Sequence, residues 1–132
     1  MPASHSFEYA IIRLVPQVER EEFLNVGVIL YCRDHKYLGM KFALDGTRLL
    51  AMYPNADLKD MEGHLHSFEN ITNAEPAGGP IAALDPASRF RWLTAKRSTV
   101  IQLSAVHPGI CEDPEGTINK LFKELVLVPP TL

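Results

Sequence analysis

Residues 21–32, EEFLNVGVILYC, constrain this chain more than any other stretch, because they contain its longest unbroken apolar reach, residues 26–32. Read at the two-residue period of a strand, Leu24, Val26, Val28, Leu30 and Cys32 point to one face, and Phe23, Asn25, Gly27, Ile29 and Tyr31 to the other. The first set is wholly apolar and belongs against a core. The second mixes an amide and a glycine with three large side chains, which predicts a face covered only in part. A strand apolar on nearly both sides is expected at the centre of its sheet. Gly27 has no side chain to pack, and such a residue marks a bulge or a close approach of main chain. The preferred reading is a twist point or packing contact; the alternative is a surface where a ligand or partner touches the backbone.

Both flanks read as strand partners. Residues 7–15 alternate Phe7, Tyr9, Ile11, Arg13 and Val15 against Glu8, Ala10, Ile12 and Leu14, and Pro16 ends the run. Residues 17–22 allow one helical turn before the central strand. After a turn at Asp34-His35, residues 37–44 form a third strand with Leu38, Met40, Phe42 and Leu44 inward. Short links between three sequential strands favour an antiparallel meander.

Helical spacing takes over after Asp45, a candidate N-cap. Residues 48–53 make a short helix that Pro54 closes. Asp57 caps the next helix, where Leu58, Met61, Leu65 and Phe68 recur at helical intervals and Lys59, Glu62, His66 and Glu69 form the wet face. Residues 74–80, AEPAGGP, read as a flexible loop. Asp85-Pro86 starts a helix running to about Ala95, packed by Phe90, Leu93 and Trp92 and charged by Arg89, Arg91 and Lys96. Residues 99–105 alternate as a fourth strand, with Thr99, Ile101, Leu103 and Ala105 on its apolar side, and His107-Pro108-Gly109 reads as a turn. Asp113-Pro114 opens the last helix, with a stripe of Ile118, Leu121, Phe122 and Leu125, and residues 128–132 trail off through two prolines. The expected architecture is α+β: one domain, ordered over about residues 7–127, with an antiparallel sheet of about four strands (the meander plus one later strand) and helices packed on it.

Composition narrows the function classes. At 132 residues the chain is one domain, and 46% hydrophobic with 22% charged residues is an ordinary soluble balance. A net charge of −3 gives no bulk attraction to nucleic acid or anionic lipid, so any such binding needs a local basic patch. Cys32 and Cys111 do not make a disulfide framework, and Cys32 sits on a core face, which suits a reducing cytoplasm. No secretory h-region or membrane-length apolar run is read, so no membrane partner is expected.

The most unusual polar feature is the basic run Arg89, Arg91, Lys96 and Arg97 with Trp92 and Ser98. Cations with an interleaved aromatic can hold phosphates and stack a base. Residues 97–99, between helix and strand, offer backbone N–H groups and hydroxyls to an anion. The plainer reading, favoured by the net charge, is a solvated helix edge whose arginines pair with Glu21 or Glu22. Either way, charge complementarity predicts that residues 89–97 lie near the corner formed by residues 21–25.

Glu19, Glu21 and Glu22 with Asn25 and Arg13 form the matching acidic group. Paired carboxylates serve acid–base chemistry or a hard metal. No Asp-x-Asp or His-Glu-x-x-His spacing is present, and an acidic hairpin loop serves solubility. Asn25, an amide inside an apolar strand, is expected to fix a buried hydrogen bond to the loop after Ala95. His64 and His66 are two apart, and the remaining histidines and Cys111 show no zinc spacing. His107 stands in a turn context that fits a general base or a capping donor. No serine or cysteine occupies a nucleophile elbow. An enzyme built on His107 with Glu22 therefore lacks a nucleophile and a metal set, and no cofactor is indicated.

The combination of YAIIRLVP, REEFLNVGVIL, RFRWLTAKRSTVIQLS and HPGIC before a final amphipathic helix resembles the bacterial domain-of-unknown-function family 3037. The likeness runs from Tyr9 to about Val126. It implies no activity; the association of that family with genes beside kinases of the persistence-toxin type implies a regulatory or accessory role. The function expected is binding of a protein partner through exposed polar residues beside the strands, with Arg13, Glu22, Asn25, Arg89, Arg91, Arg97 and His107 as candidates. Nucleic-acid or nucleotide binding through residues 89–97 is the alternative.

Overall fold

The computed structural model describes residues 3–127, so the expectation for residues 128–132 lies outside the described residues. Strand β1 (His5–Leu14) starts an antiparallel meander that continues through β2 (Leu24–Cys32) and β3 (Tyr37–Phe42). Helices α1 (Gly46–Met52), α2 (Leu58–Thr72), α3 (Gly79–Ala82) and α4 (Pro86–Thr94) follow, then β4 (Ile101–Leu103), β5 (His107–Cys111) and α5 (Pro114–Leu125). The sheet order is β3-β2-β1, with β4 and β5 sharing the other side of β1. The α+β class and the antiparallel sheet agree with the sequence.

The fourth strand is shorter than expected, and the expected turn at residues 107–109 is instead the start of a fifth strand. β4 pairs with Ile12–Leu14 at one end of β1, and β5 pairs with His5–Tyr9 at the other. Buried Ser104 makes the break between them. Its backbone N–H donates to the Ile11 carbonyl at 2.9 Å, and its hydroxyl accepts from the Ile11 N–H at 2.8 Å. The ladder therefore stops at a satisfied residue and resumes at His107. Pro108 is tolerated because β5 lies at the edge, where one strand side needs no donors.

A bulge resets the faces of β2. Ile12 pairs with Gly27 while Arg13 pairs with Asn25, leaving Val26 as the extra residue. Expected on one face, the five alternating residues divide: Leu24 and Val26 pack with Ile29 and Tyr31, whereas Val28, Leu30 and Cys32 pack on the other side. Gly27 is required here, since a Cβ would stand 2.7 Å from the Lys41 carbonyl oxygen and 2.9 Å from Phe42 Cβ. The structural reading of this glycine is the one the fold bears out.

Both faces of the sheet are covered, not one and a part. On one side Ala10, Ile12, Leu14, Val26 and Ile29 meet Leu49 of α1, Met61 and Leu65 of α2, and Phe90 and Leu93 of α4. On the other, Phe7, Val28, Leu30, Cys32 and Cys111 meet Ile118 and Phe122 of α5, followed by Val126. Each fully buried aliphatic side chain contributes about 1.5–3 kcal/mol, so β2 alone anchors both layers. The inward set of the third strand, Leu38, Met40, Phe42 and Leu44, packs as expected.

Four aspartates start the four longer helices. Asp45, Asp57, Asp85 and Asp113 each accept the N–H three residues on, at 3.1–3.2 Å. Residues 74–80, expected to be flexible, fold into a 3-10 turn at Pro76–Gly78 that leads directly into α3. Packing explains the difference: Gly78 lies so close to Ala82 and Ile71 that an added Cβ would be 2.7 Å from Ala82 Cβ. No helix among the described residues is long and apolar enough to cross a membrane.

Candidate anion-binding cleft

Arg13 follows the bulge directly, and its guanidinium carbon lies 4.3 Å from the Phe23 ring centroid. Phe23 is 43% exposed, so this ring stands at the surface. Across β1 from the same position lies Gln102 of β4. Beyond it runs the segment that links α4 to β4. This segment is shaped by its own side chains: Thr99 Oγ1 donates to the Ile101 carbonyl at 2.9 Å, and Gln102 Nε2 to the Thr99 carbonyl at 3.0 Å.

Arg97 lies in that segment, shortly after the end of α4. Its Nη2 donates to the Trp92 carbonyl at the end of α4 at 2.6 Å. Its guanidinium carbon sits 4.9 Å from both the Phe68 and the Trp92 ring centroids, in the corner between them. Partial burial pushes the Arg97 guanidinium below its ordinary pKa, because desolvation disfavours the charged form. Cation–π contacts of this kind are worth about 0.5–2 kcal/mol and fix the plane of the group.

Arg13 and Arg97 line one cleft of about 390 Å³, together with Glu21, Phe23, Lys96, Ser98 and Gln102. Three cations there face one carboxylate. Glu21 is held in the left-handed region at φ 59° at the end of the 3-10 turn Val18–Arg20, a conformation that costs a non-glycine residue about 1–2 kcal/mol.

The hydrogen-bond inventory singles out the same place. Among the described residues, the buried side-chain polar atoms without a partner are Arg13 Nε, Asn25 Oδ1 and Arg97 Nη1. Two belong to the arginines of the cleft, and Asn25 is the cross-strand partner of Arg13. A buried donor or acceptor left unpaired costs about 1–3 kcal/mol, and native interiors pair nearly all of them.

The other residues singled out by sequence are dispersed. Arg89 is buried, 8% exposed, and hydrogen-bonded to main-chain carbonyls, so it is not an exposed binding group. Arg91 lines a separate cleft with Glu8, Tyr31, Arg33 and Asp85. Glu22 is exposed and paired with Arg20. His107 pairs with Tyr9 across β5 and β1, its ring centroid 5.3 Å from the tyrosine ring. Asn25 Nδ2 donates to the Leu125 carbonyl at 3.2 Å, not to the loop after Ala95 as expected.

The expected meeting of basic and acidic runs holds only in part. Glu21 shares the cleft with Lys96 and Arg97, but Arg91 and Glu22 line different clefts, because β1 stands between β2 and β4. No ion pair among the described residues joins the arginines of the run to Glu21 or Glu22. Sequence reading missed Phe23 and Phe68, the rings that carry Arg13 and Arg97. Phe68 read simply as core, and an aromatic entering a strand carries no mark of a cation partner. No group of three or more metal-ligating side chains occurs among the described residues.

Searches of curated proteins and of solved structures returned no match. The model of the family described as "Protein of unknown function (DUF3037)" matches residues 9–126, a span that holds β2, both arginines of the cleft and all five helices. With most of its length so matched, the chain belongs to this family.

Proposed function

We propose that this domain is a binding module that docks on a protein partner by taking an anionic side chain of that partner into the Arg13–Arg97 cleft. One observation carries this reading: Arg13, Lys96 and Arg97 line one recess with a single carboxylate, and each of the two arginines keeps a buried N–H without an acceptor. Both are already held against aromatic rings, so little side-chain freedom is lost when an anion arrives. Lys96 adds a third positive charge to the lining.

A protein is favoured over a nucleic acid because the molecule carries a net charge of −3, which opposes a long polyanion but not a single buried anion. Arg89 and Arg91 also drop out of the basic run as a continuous strip, since neither lines the cleft. A regulatory or accessory role, as the family resemblance implies, suits such a module. A reducing cytoplasm is the setting in this reading, supported by the free, buried thiols of Cys32 and Cys111.

The test is capture of partner proteins by wild type and by a Lys96→Glu, Arg97→Glu double variant, with circular dichroism verifying equal folding. Charge reversal is expected to abolish capture, while Arg91→Glu leaves it intact. Equal yields from wild type and the double variant would overturn the proposal.

A further inference from the structure

We infer that the anion taken by the Arg13–Arg97 cleft is a phosphate monoester on a protein side chain; this rests on the reading of the cleft as a protein-docking site. Arg13, Lys96 and Arg97 face the single carboxylate of Glu21, a surplus of two positive charges. A side-chain carboxylate brings one negative charge and leaves the cleft half-compensated. A phosphoserine-type ester brings about −1.5 to −2 at neutral pH and matches it.

Donor chemistry points the same way. Arg13, Lys96, Arg97 and Ser98 line the recess from two segments, β1 and the linker between α4 and β4. The three terminal oxygens of a phosphate monoester can accept from several directions at once, and guanidinium groups match phosphate geometry bidentately. A carboxylate has two oxygens in one plane and leaves part of this set unused. The recess, at about 390 Å³, admits a whole phosphorylated side chain and not merely its terminal oxygens. The acidic molecule at large weakens binding of a nucleic-acid backbone, whose phosphates are singly charged diesters in a row.

The pH dependence distinguishes a phosphate from other anions. The charged groups facing the cleft are Arg13 from β1, Glu21 from the turn before β2, and Lys96 and Arg97 from the segment after α4. No histidine lines it. A loss of affinity between pH 7.5 and 5 therefore reports the second ionisation of the phosphate, at about pH 6.

The experiment is calorimetric titration of the whole chain with short blocked peptides containing phosphoserine, aspartate or serine, with inorganic phosphate, and with a single-stranded oligonucleotide. The phosphoserine peptide is expected to bind at least about tenfold more tightly than the aspartate peptide, a factor equal to about 1.4 kcal/mol. Inorganic phosphate should compete, and the affinity should fall between pH 7.5 and 5. Arg97→Gln and Lys96→Gln should each abolish binding, Arg91→Gln should not, and the Lys96 variant keeps the test open if an arginine variant folds poorly. Equal affinity for the aspartate and phosphoserine peptides would overturn the phosphate assignment but leave the docking cleft standing. Absence of binding by any peptide, with partner capture still dependent on Arg97, would likewise overturn this inference alone. Tighter binding of the oligonucleotide than of the phosphopeptide would overturn both.

Discussion

Arg89 and Arg97 come from one basic run, the first inside α4 and the second just after it, yet the fold uses them in opposite ways. Arg89 is 8% exposed, and its guanidinium reaches three main-chain carbonyls: Leu84 at 2.9 Å, Ile71 at 3.1 Å and Thr72 at 2.6 Å. Two of those carbonyls belong to the last turn of α2, where helix ends leave acceptors unpaired and the dipole favours a cation. Arg97 also caps a helix, its own α4, through the Trp92 carbonyl. It retains a buried Nη1 without an acceptor and shares a cleft with another arginine in the same condition. Burial of a charge is therefore not what marks a site here. The difference is whether its donors are used up by the fold.

The largest effect that separates the two is on stability. Arg89→Ala takes this donor from the Leu84 and Thr72 carbonyls, and from Ile71, which keeps the Ala74 N–H. Hydrogen bonds to a charged group are worth about 1.5–3 kcal/mol each without being additive, so a loss of about 3–5 kcal/mol is expected in urea unfolding. Arg89→Lys should recover only part of it, since an ammonium cannot span the three acceptors as the planar fork does. A loss under about 1 kcal/mol would break the comparison on the Arg89 side.

Gly27→Ala sharpens the comparison by coupling fold to cleft. The added methyl meets the Lys41 carbonyl oxygen at 2.7 Å, so an overpacking cost of about 1–3 kcal/mol is expected. Because Arg13 sits on the opposite strand at the bulge, its position over Phe23 should shift with it. Phosphopeptide affinity should then fall along with the unfolding midpoint, read from the same sample.

Arg97→Ala should change stability by no more than about 1 kcal/mol, as the lost ring contacts and the Trp92 bond are offset by removal of a buried unpaired donor. Thermal unfolding checks this. A cost as large as that of Arg89→Ala would make Arg97 a second structural cap.

A smaller effect concerns the start of α4. The Ser88 hydroxyl and the Ser88 N–H donate to Asp85 and hold its carboxyl below the ordinary carboxylate value. A lowered folded pKa means a contribution present above the unfolded value and lost as pH falls through the folded one. The stability gap between wild type and Asp85→Asn should therefore narrow as pH drops below about 4, the ordinary aspartate range. A gap constant with pH would show that the charged cap does not set where α4, and with it Arg89, begins.

Much of the fold was legible because its causes are local. Strand alternation gave the meander and the inward set of β3, and each helix of seven residues or more starts at an aspartate whose capping bond spans three residues. What escaped depends on contacts distant in sequence. Nothing in the alternation around Val26 says that one residue will be skipped, and only Gly27 hinted at it. His107-Pro108-Gly109 has turn chemistry, but an edge strand has a side on which proline costs nothing. Arg89 reads as a solvated helix residue until α2 brings the Ile71 and Thr72 carbonyls beside it. The cleft was half legible: Arg13, Arg97, Lys96 and Glu21 were noticed in separate clusters, while the rings that hold the two arginines were not.

The central claim is that the fold uses Nε and Nη1 of Arg89 but leaves Nε of Arg13 and Nη1 of Arg97 without an acceptor. Side-chain ¹⁵N NMR of the arginine guanidinium groups tests it directly, before and after addition of a phosphoserine peptide. The account predicts that the Arg89 Nε–H signal is protected from solvent exchange in the free protein and does not move on titration. The Arg13 and Arg97 guanidinium signals should shift and gain protection as the peptide binds. Unmoved Arg13 and Arg97 signals under saturating peptide, or an Arg89 signal that responds in their place, would contradict it.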